Sequence, residues 1–340
     1  LSKQFVSNSV NPMVDFTIAI PTHNGEHRLP EVLQKLRLQQ LPQTMETLSP
    51  FTWEVIVVDN NSQDGTAAVV TEFQADFPCP LHYCLELQQG AAFARQRAIR
   101  EAQSDLVGYL DDDNLPDTDW IIAAYTFAQA HPQAGAIASR VRGEFEVEPP
   151  SNLAHLLPFL AITDRGSTPL QYKSHKKLLP PSAGLVVRRS VWLAHVPPQT
   201  ILTGRVKGNL LTGEDTEVLS YIHQSGWEIW YNPAMNVAHK IPAWRLERRY
   251  LIALLRGIGL SRHVTRMVGV KPWKRSFVSV AYMVNDLRKL IVHLVKYRDR
   301  IRTDLVAACE WELFLNSLIS PFYLWRNGYL SRSSKLSDET

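Results

Sequence analysis

A chain of 340 residues with 45% apolar and 20% charged residues lies in the ordinary globular range. This excludes a disordered or fibrous chain and leaves room for one large domain or two smaller ones. The net charge of +3 divides unevenly: from Arg245 onward 18 Lys and Arg stand against 8 Asp and Glu, while the first 244 residues hold 18 against 25. A basic tail on an acidic body points to an anionic partner.

Three scattered cysteines (Cys79, Cys84, Cys309) form neither a disulfide framework nor a zinc pattern, which fits a reducing compartment. No segment has the layout of a signal peptide. No apolar run reaches the ~18 residues of a membrane span; the stretch from Leu313 to Trp325 is broken by Asn316 and Pro321. The expectation is a cytoplasmic protein, at most peripheral at the inner face of the plasma membrane.

Along the chain, Phe16 to Ile20 is an apolar run stopped by Pro21, and leucines at 29, 33, 36 and 38 give a helix over Arg28 to Gln40. A strand follows from Trp53 to Val58, then a helix from Gly65 to Gln74 and a strand from Leu81 to Leu87. A helix over Ala91 to Ala102, a strand over Leu106 to Leu110 and a helix over Trp120 to Ala130 complete the alternation. Strands alternating with helices predict βαβ units and a parallel sheet. The section 143–189 is proline-rich and irregular, with a short strand at Gly184 to Val187. A helix from Asp215 to Gln224 and a strand from Trp227 to Tyr231 precede three basic helices at about 246–265, 276–300 and 303–325.

The polar clusters "PTHNGE", "DNNSQDG", "QQGAAFAR" and "DDDN" each fall just past the C-terminal end of a predicted strand, the edge where open parallel sheets bind ligands. Asp111, Asp112 and Asp113 read either as a solvated acidic loop or as an Asp-x-Asp site. In the second reading Asp111 and Asp113 face one Mg2+ or Mn2+ that keeps positions open for substrate phosphates. The spacing lacks the glycine and distal glutamate of a calcium loop. Asp59 reads either as a turn and cap residue or as an acceptor for a ribose or base. Gly-x-Gly-x-x-Gly does not follow the first strand and the P-loop pattern is absent, which argues against a dinucleotide oxidoreductase and a P-loop enzyme. Glu214-Asp215 at a helix start reads as a cap or as a general base. His239 is either structural or a ligand to metal or diphosphate, and Arg245, Arg248 and Arg249 are either solvated or phosphate clamps.

The segments "FTIAIPTHNGEHRLPEVLQKL", "WEVIVVDNNSQDGT", "QQGAAFARQRAI", "GYLDDDN" and "GEDTEVLSYI" occur in an order that resembles the family 2 glycosyltransferases. "LPPSAGLVVRR", "GWEIWYNP", "IPAWRLERRYLI" and "LISPFYLW" are similar to a narrower group, the cyanobacterial glycosyltransferases of hormogonium polysaccharide biosynthesis. The resemblance implies an α/β fold of the GT-A type: a Rossmann-like, mostly parallel sheet flanked by helices over 14–240, with a basic helical C-terminal extension over 241–330. It implies an inverting, metal-dependent transfer of sugar from a nucleotide-diphosphate sugar to a polysaccharide or lipid-linked glycan. Pro21, Thr22, Asn24, Asp59, Gly90, Arg95 and Asp112 would then bind the nucleotide sugar. Asp111, Asp113 and His239 would bind Mn2+ or Mg2+, with Asp215 as base and Glu214 in reserve. His23 replaces the tyrosine more usual in the family. The alternative is a carbohydrate- or nucleotide-sugar-binding protein without turnover, against which the intact acidic motifs count. Trp244, Trp273, Trp311 and Trp325 among the tail's basic residues either pack inward or meet a membrane surface. Nucleic acid is not an expected partner, since acids interleave the basic residues and no binding motif is present.

Overall fold

The computed structural model describes residues 14–41, 50–173, 179–206 and 211–330. Part of the irregular middle section, 174–178, lies outside them. The first half runs β1 (Phe16–Thr22), α1 (Leu29–Arg37), β2 (Trp53–Asp59), α2 (Thr66–Gln74), β3 (Leu81–Leu85), α3 (Ala91–Glu101) and β4 (Leu106–Tyr109). Next come β5 (Asn114–Pro116), α4 (Trp120–Ala130), β6 (Ala134–Phe145), β7 (Leu170–Gln171) and β8 (Val186–Arg188). They are followed by α5 (Arg189–His195), α6 (Glu214–Gln224) and β9 (Glu228–Ile241). The helices α7 (Arg248–Met267), α8 (Arg275–Tyr297), α9 (Arg300–Thr303) and α10 (Leu305–Arg326) close the described chain.

One sheet has the order β3-β2-β1-β4-β8-β6-β9-β5, with β7 beside β9. The β3-β2-β1-β4 portion and the long β6–β9 pair are parallel, while β8, β5 and β7 pair antiparallel. The apolar runs of β1 and β2 are buried on both faces. Phe16, Ile18, Ile20, Val55 and Val57 pack with Leu29, Leu33 and Trp120 of α1 and α4. Ala19, Ile56 and Val58 pack with Ala94, Ala98 and Ile99 of α3 and with Val218 and Leu219 of α6. Alternation with period two therefore feeds two separate cores, the three-layer α/β arrangement expected of a parallel sheet.

Two expectations change. Pro21 does not stop β1, which continues to Thr22 in register with Asp59. The Ala19 carbonyl faces β4 and accepts from Leu110, so the nitrogen of Pro21, two residues on, points to the same side, beyond the β1–β4 register that ends at Ala19. No ladder donor is lost there. The last strand is also longer than the sequence indicated. Ser139 pairs with Asn232 and Arg140 with Asn236, so Pro233, Ala234 and Met235 form a bulge and β9 resumes to Ile241. That resumption carries His239 to its place opposite Asn114 of β5.

Candidate active site

Thr22, Asp59, Gly90 and Asp111 all emerge at the C-terminal edge of the parallel strands, because β1 to β4 run the same way. Each of the three adjacent aspartates has its own cation. Asp112 is held in fork fashion by Arg28, Nε to Oδ1 at 2.9 Å and Nη2 to Oδ2 at 2.8 Å, and Thr22 Oγ1 donates to Oδ2 at 2.6 Å. Arg28 occupies the N-cap of α1, a position where a cation opposes the helix dipole. The paired Asp112 offsets that cost. Gly25 keeps the arrangement open: a Cβ there would lie 2.1 Å from Thr22 Oγ1 and 3.1 Å from Asp112 Oδ2.

Asp111 faces Arg95, whose Nη2 is 3.1 Å from Oδ1; the other arm, Nη1, reaches Glu214 Oε1 at 2.9 Å. Arg95 is nearly buried. Burial would favour the neutral guanidine, but Asp111 and Glu214 outweigh it and raise its pKa. Burial raises the pKa of Asp111, despite the opposing pull of Arg95, and the negative charge of Asp113 adds to the rise. Asn114 ties the run together, its Oδ1 accepting from the Asp111 amide at 3.2 Å and its Nδ2 donating to Asp113 Oδ1 at 3.0 Å.

Asp113 receives Arg245 Nη2 on Oδ2 at 2.8 Å, and His239 Nε2 lies 3.5 Å from Oδ1. Burial works against its ionisation, but His239 and Arg245 outweigh it and hold the carboxyl at about 2. Arg245 Nη1 also lies 2.9 Å from His239 Nε2. A guanidinium can only donate, so this contact would take a bare Nε2 while the approach to Asp113 would take Nε2–H, and the tautomer decides which is made. The His239 Nδ1 is buried without a hydrogen-bond partner.

These groups line a cavity of about 660 Å³ with Pro21, Thr22, Gly90, Asn60 and Arg205, a size suited to a small-molecule ligand. Gly90 has φ +140°, and a Cβ would meet the Thr203 carbonyl at 2.5 Å, so only glycine fits this wall. Asp59, buried, and Asn24, exposed, do not line the cavity. Asp59 accepts from the Ser62 amide at 2.8 Å and the Tyr83 hydroxyl at 2.7 Å. Asn24 (φ +51°) accepts from the Gln63 amide at 2.8 Å. It is Asn60 that lines the cavity, its Oδ1 taking the Gly90 amide at 2.7 Å.

Glu214 and Asp215 line an adjoining cavity that shares Phe159, Ala161 and Arg205 with the first. Both lie in the first turn of α6, after Gly213. Asp215 accepts from the Ser182 amide at 3.1 Å and the Thr216 amide at 2.7 Å. Burial and the adjacent Glu214 nevertheless push its carboxyl up to about 6. Gly213 is the N-cap of α6, and Asp215 makes its contacts from inside the first turn.

Among the described residues, no three His, Cys, Asp or Glu side chains converge as metal ligands. The donor set still fits a divalent cation: the carboxylates of Asp111 and Asp113 are the ligands a hard cation prefers, and the His239 imidazole is a softer third donor. Arg245 already bridges Asp113 and His239 as a cation would. Sequence reasoning passed over Arg28 and Asn114. The signals were present, a basic residue at a helix start and the asparagine closing "DDDN".

Residues 17–183 match the model of glycosyl transferase family 2. The chain is 33% identical over 105 residues to the uncharacterized glycosyltransferase YfnE of Bacillus subtilis (strain 168), which covers 31% of this chain and 24% of YfnE's length. With the succinoglycan biosynthesis protein ExoM of Rhizobium meliloti (strain 1021) it shares 23% identity over 230 residues, 65% of this chain and 68% of ExoM. The fold is similar to that of the mannosyltransferase PcManGT from Pyrobaculum calidifontis in complex with GDP-Man and Mn2+. The TM-score is 0.53 at 18% identity, over 90% of this chain and 86% of that one. The segment 17–183, just under half of the chain, which carries the aspartate run with Arg28 and Arg95, is the part that matches glycosyl transferase family 2.

Proposed function

We propose that the chain transfers a sugar from a nucleotide-diphosphate donor to a hydroxyl of a glycan or lipid-linked acceptor, with inversion. The observation that carries this reading is the continuous chain Asp111–Arg95–Glu214, which joins the acidic, arginine-ringed cavity to the carboxyl pair of α6. In the step, Asp215 takes the proton of the acceptor hydroxyl. The oxygen forms a bond to the anomeric carbon, and that carbon's bond to the β-phosphate oxygen breaks. The electron pair leaves with the nucleoside diphosphate.

A divalent cation on Asp111, Asp113 and His239 would neutralise the charge that develops on the diphosphate. Arg28 and Arg95 orient the carboxylates, and Arg245 is free to turn toward phosphate when its partners bind metal. Pro21, Thr22, Asn60 and Gly90 shape the nucleotide side, with Asp59 and Asn24 fixing the loops behind them. In the proposed division, residues 14–240 form the catalytic domain and 241–330 a helical extension. The printed name of ExoM, a succinoglycan biosynthesis protein, supports a polysaccharide acceptor.

The extension supports a peripheral membrane position. No helix among the described residues is long and apolar enough to cross a membrane. Helix α8, however, is inverted: Asp286 and His293 are buried while Phe277, Val280, Val284, Leu287 and Ile291 are exposed. Their spacing of three and four residues draws one apolar stripe. Its flanks carry Lys274, Arg275, Arg288 and Lys296, and its only acid, Asp286, is turned inward against Arg266. Such a face matches an anionic bilayer surface.

The test is turnover of a nucleotide-sugar panel by the wild type and Asp215→Asn. Asparagine keeps an acceptor for the Ser182 amide, so the fold should persist while kcat falls by about 10²–10⁴. Equal turnover in the variant would remove Asp215 from the chemistry, and no turnover of any donor by the wild type would favour a binding protein.

A further inference from the structure

A cavity of about 560 Å³ lies between α6, α7 and α8. Its charged lining is basic, Lys173, Arg262, Arg266 and Lys289, with hydroxyls of Thr216, Ser220 and Thr265 beside them and no carboxylate among the described lining residues. Arg266 is balanced by Asp286, at 2.5 and 3.0 Å. Arg262 has only the Ser317 hydroxyl, at 3.3 Å, and neither it nor Lys289 forms an ion pair among the described residues. Burial and the adjacent Arg266 push the Arg262 guanidinium down to about 10. Asp286 offsets this in part but is already paired with Arg266, so a buried cation without an ion-pair partner of its own among the described residues costs stability that a bound anion would return.

The position of the cavity identifies the anion's role. Arg262, Thr265 and Thr216 line both this cavity and the one that holds Glu214 and Asp215. Thr216 itself donates to Asp215. The basic cavity thus continues the groove beyond the base, away from the aspartates. Its floor is the inner face of α8, Tyr282, Asn285 and Lys289, whose outer face is the apolar stripe.

We propose that this cavity binds a phosphate group carried by the acceptor, with Arg262 as its main contact and Lys289 and Arg266 around it. Calling the ligand an acceptor rests on the transferase reading; binding of phosphate does not. Calorimetry with farnesyl phosphate, farnesol and inorganic phosphate tests it on the intact chain. Farnesyl phosphate should bind at least about tenfold more tightly than farnesol, and Arg262→Gln should weaken it by about 10- to 100-fold. Arg262→Lys should recover part of the loss, and Lys289→Gln should weaken binding in the same direction. Inorganic phosphate bound as tightly as farnesyl phosphate would assign a free or phosphodiester group, and much weaker binding a lipid headgroup. Equal affinity for farnesol, or unchanged binding in Arg262→Gln, would overturn the proposal. Titration of UDP and GDP on the same samples separates the two readings: failure there sinks the donor site and leaves the phosphate result standing.

Discussion

Asp215 combines two properties that rarely coincide, two backbone hydrogen bonds that favour its charged form and burial beside Glu214 that opposes it. The second prevails, and the carboxyl is raised to about 6. A base must be unprotonated to act, so kcat/KM should fall tenfold per pH unit below about 6 and level off above it. Asp215→Asn should abolish that limb. A limb that persists in the variant would assign it to another group. At this scale the sequence was readable where the motif itself lines a cavity, as Asp111 to Asp113, Gly90 and Glu214-Asp215 do. It was unreadable where a distant cation completes the motif. Arg28 lies 84 residues from Asp112 and Arg245 132 residues from Asp113, and only the fold brings them together.

Among the elements, α6 does more than carry Glu214 and Asp215. Glu217, wholly buried one turn on, accepts from the Ile201 amide at 2.9 Å and the Leu202 amide at 2.8 Å. It thereby fixes the segment that leads to Thr203 and to Arg205, which lines the cavity of the three aspartates. Burial pushes its carboxyl up to about 7 from the ordinary 4.5. The folded state holds this proton more tightly than the unfolded chain, so the contribution is full below pH 4.5 and is lost as pH rises through about 7. The difference is on the order of 3 kcal/mol. Denaturant midpoints at pH 5 and pH 8 should differ in the wild type and draw together in Glu217→Gln; an undiminished difference would contradict this assignment. The elements were legible where apolar periodicity was strong, as in β1, β2 and α3. Strand β6 and the second part of β9 were not, because "AGAIASRVRGEF" is rich in small and charged residues and Asn232-Pro233 reads as a turn. In the fold that turn is a bulge, tolerated because β9 pairs again beyond it.

Across the whole molecule, the sheet edge, the α6 groove, the basic cavity and the outer face of α8 form a sequence from acidic to basic to apolar. The unequal charge of the two ends of the sequence foretold the first contrast. The inversion of α8 was hidden, since an amphipathic pattern does not say which face the protein keeps. Flotation with phosphatidylglycerol vesicles should carry the wild type at low salt and lose most of it when Phe277 and Ile291 are both changed to Glu. Equal flotation of the variant would contradict the membrane face, and a dimer dissolved by the same changes would assign that face to a second copy.

In the proposed function the three aspartates serve a nucleotide diphosphate and its cation. Calorimetry across UDP-, GDP- and dTDP-sugars, with and without Mn2+, on wild type and Asp113→Ala tests it most directly. One donor class should bind tightly, require Mn2+ and bind at least about tenfold more weakly to the variant. Binding that ignores both the metal and the substitution would contradict it.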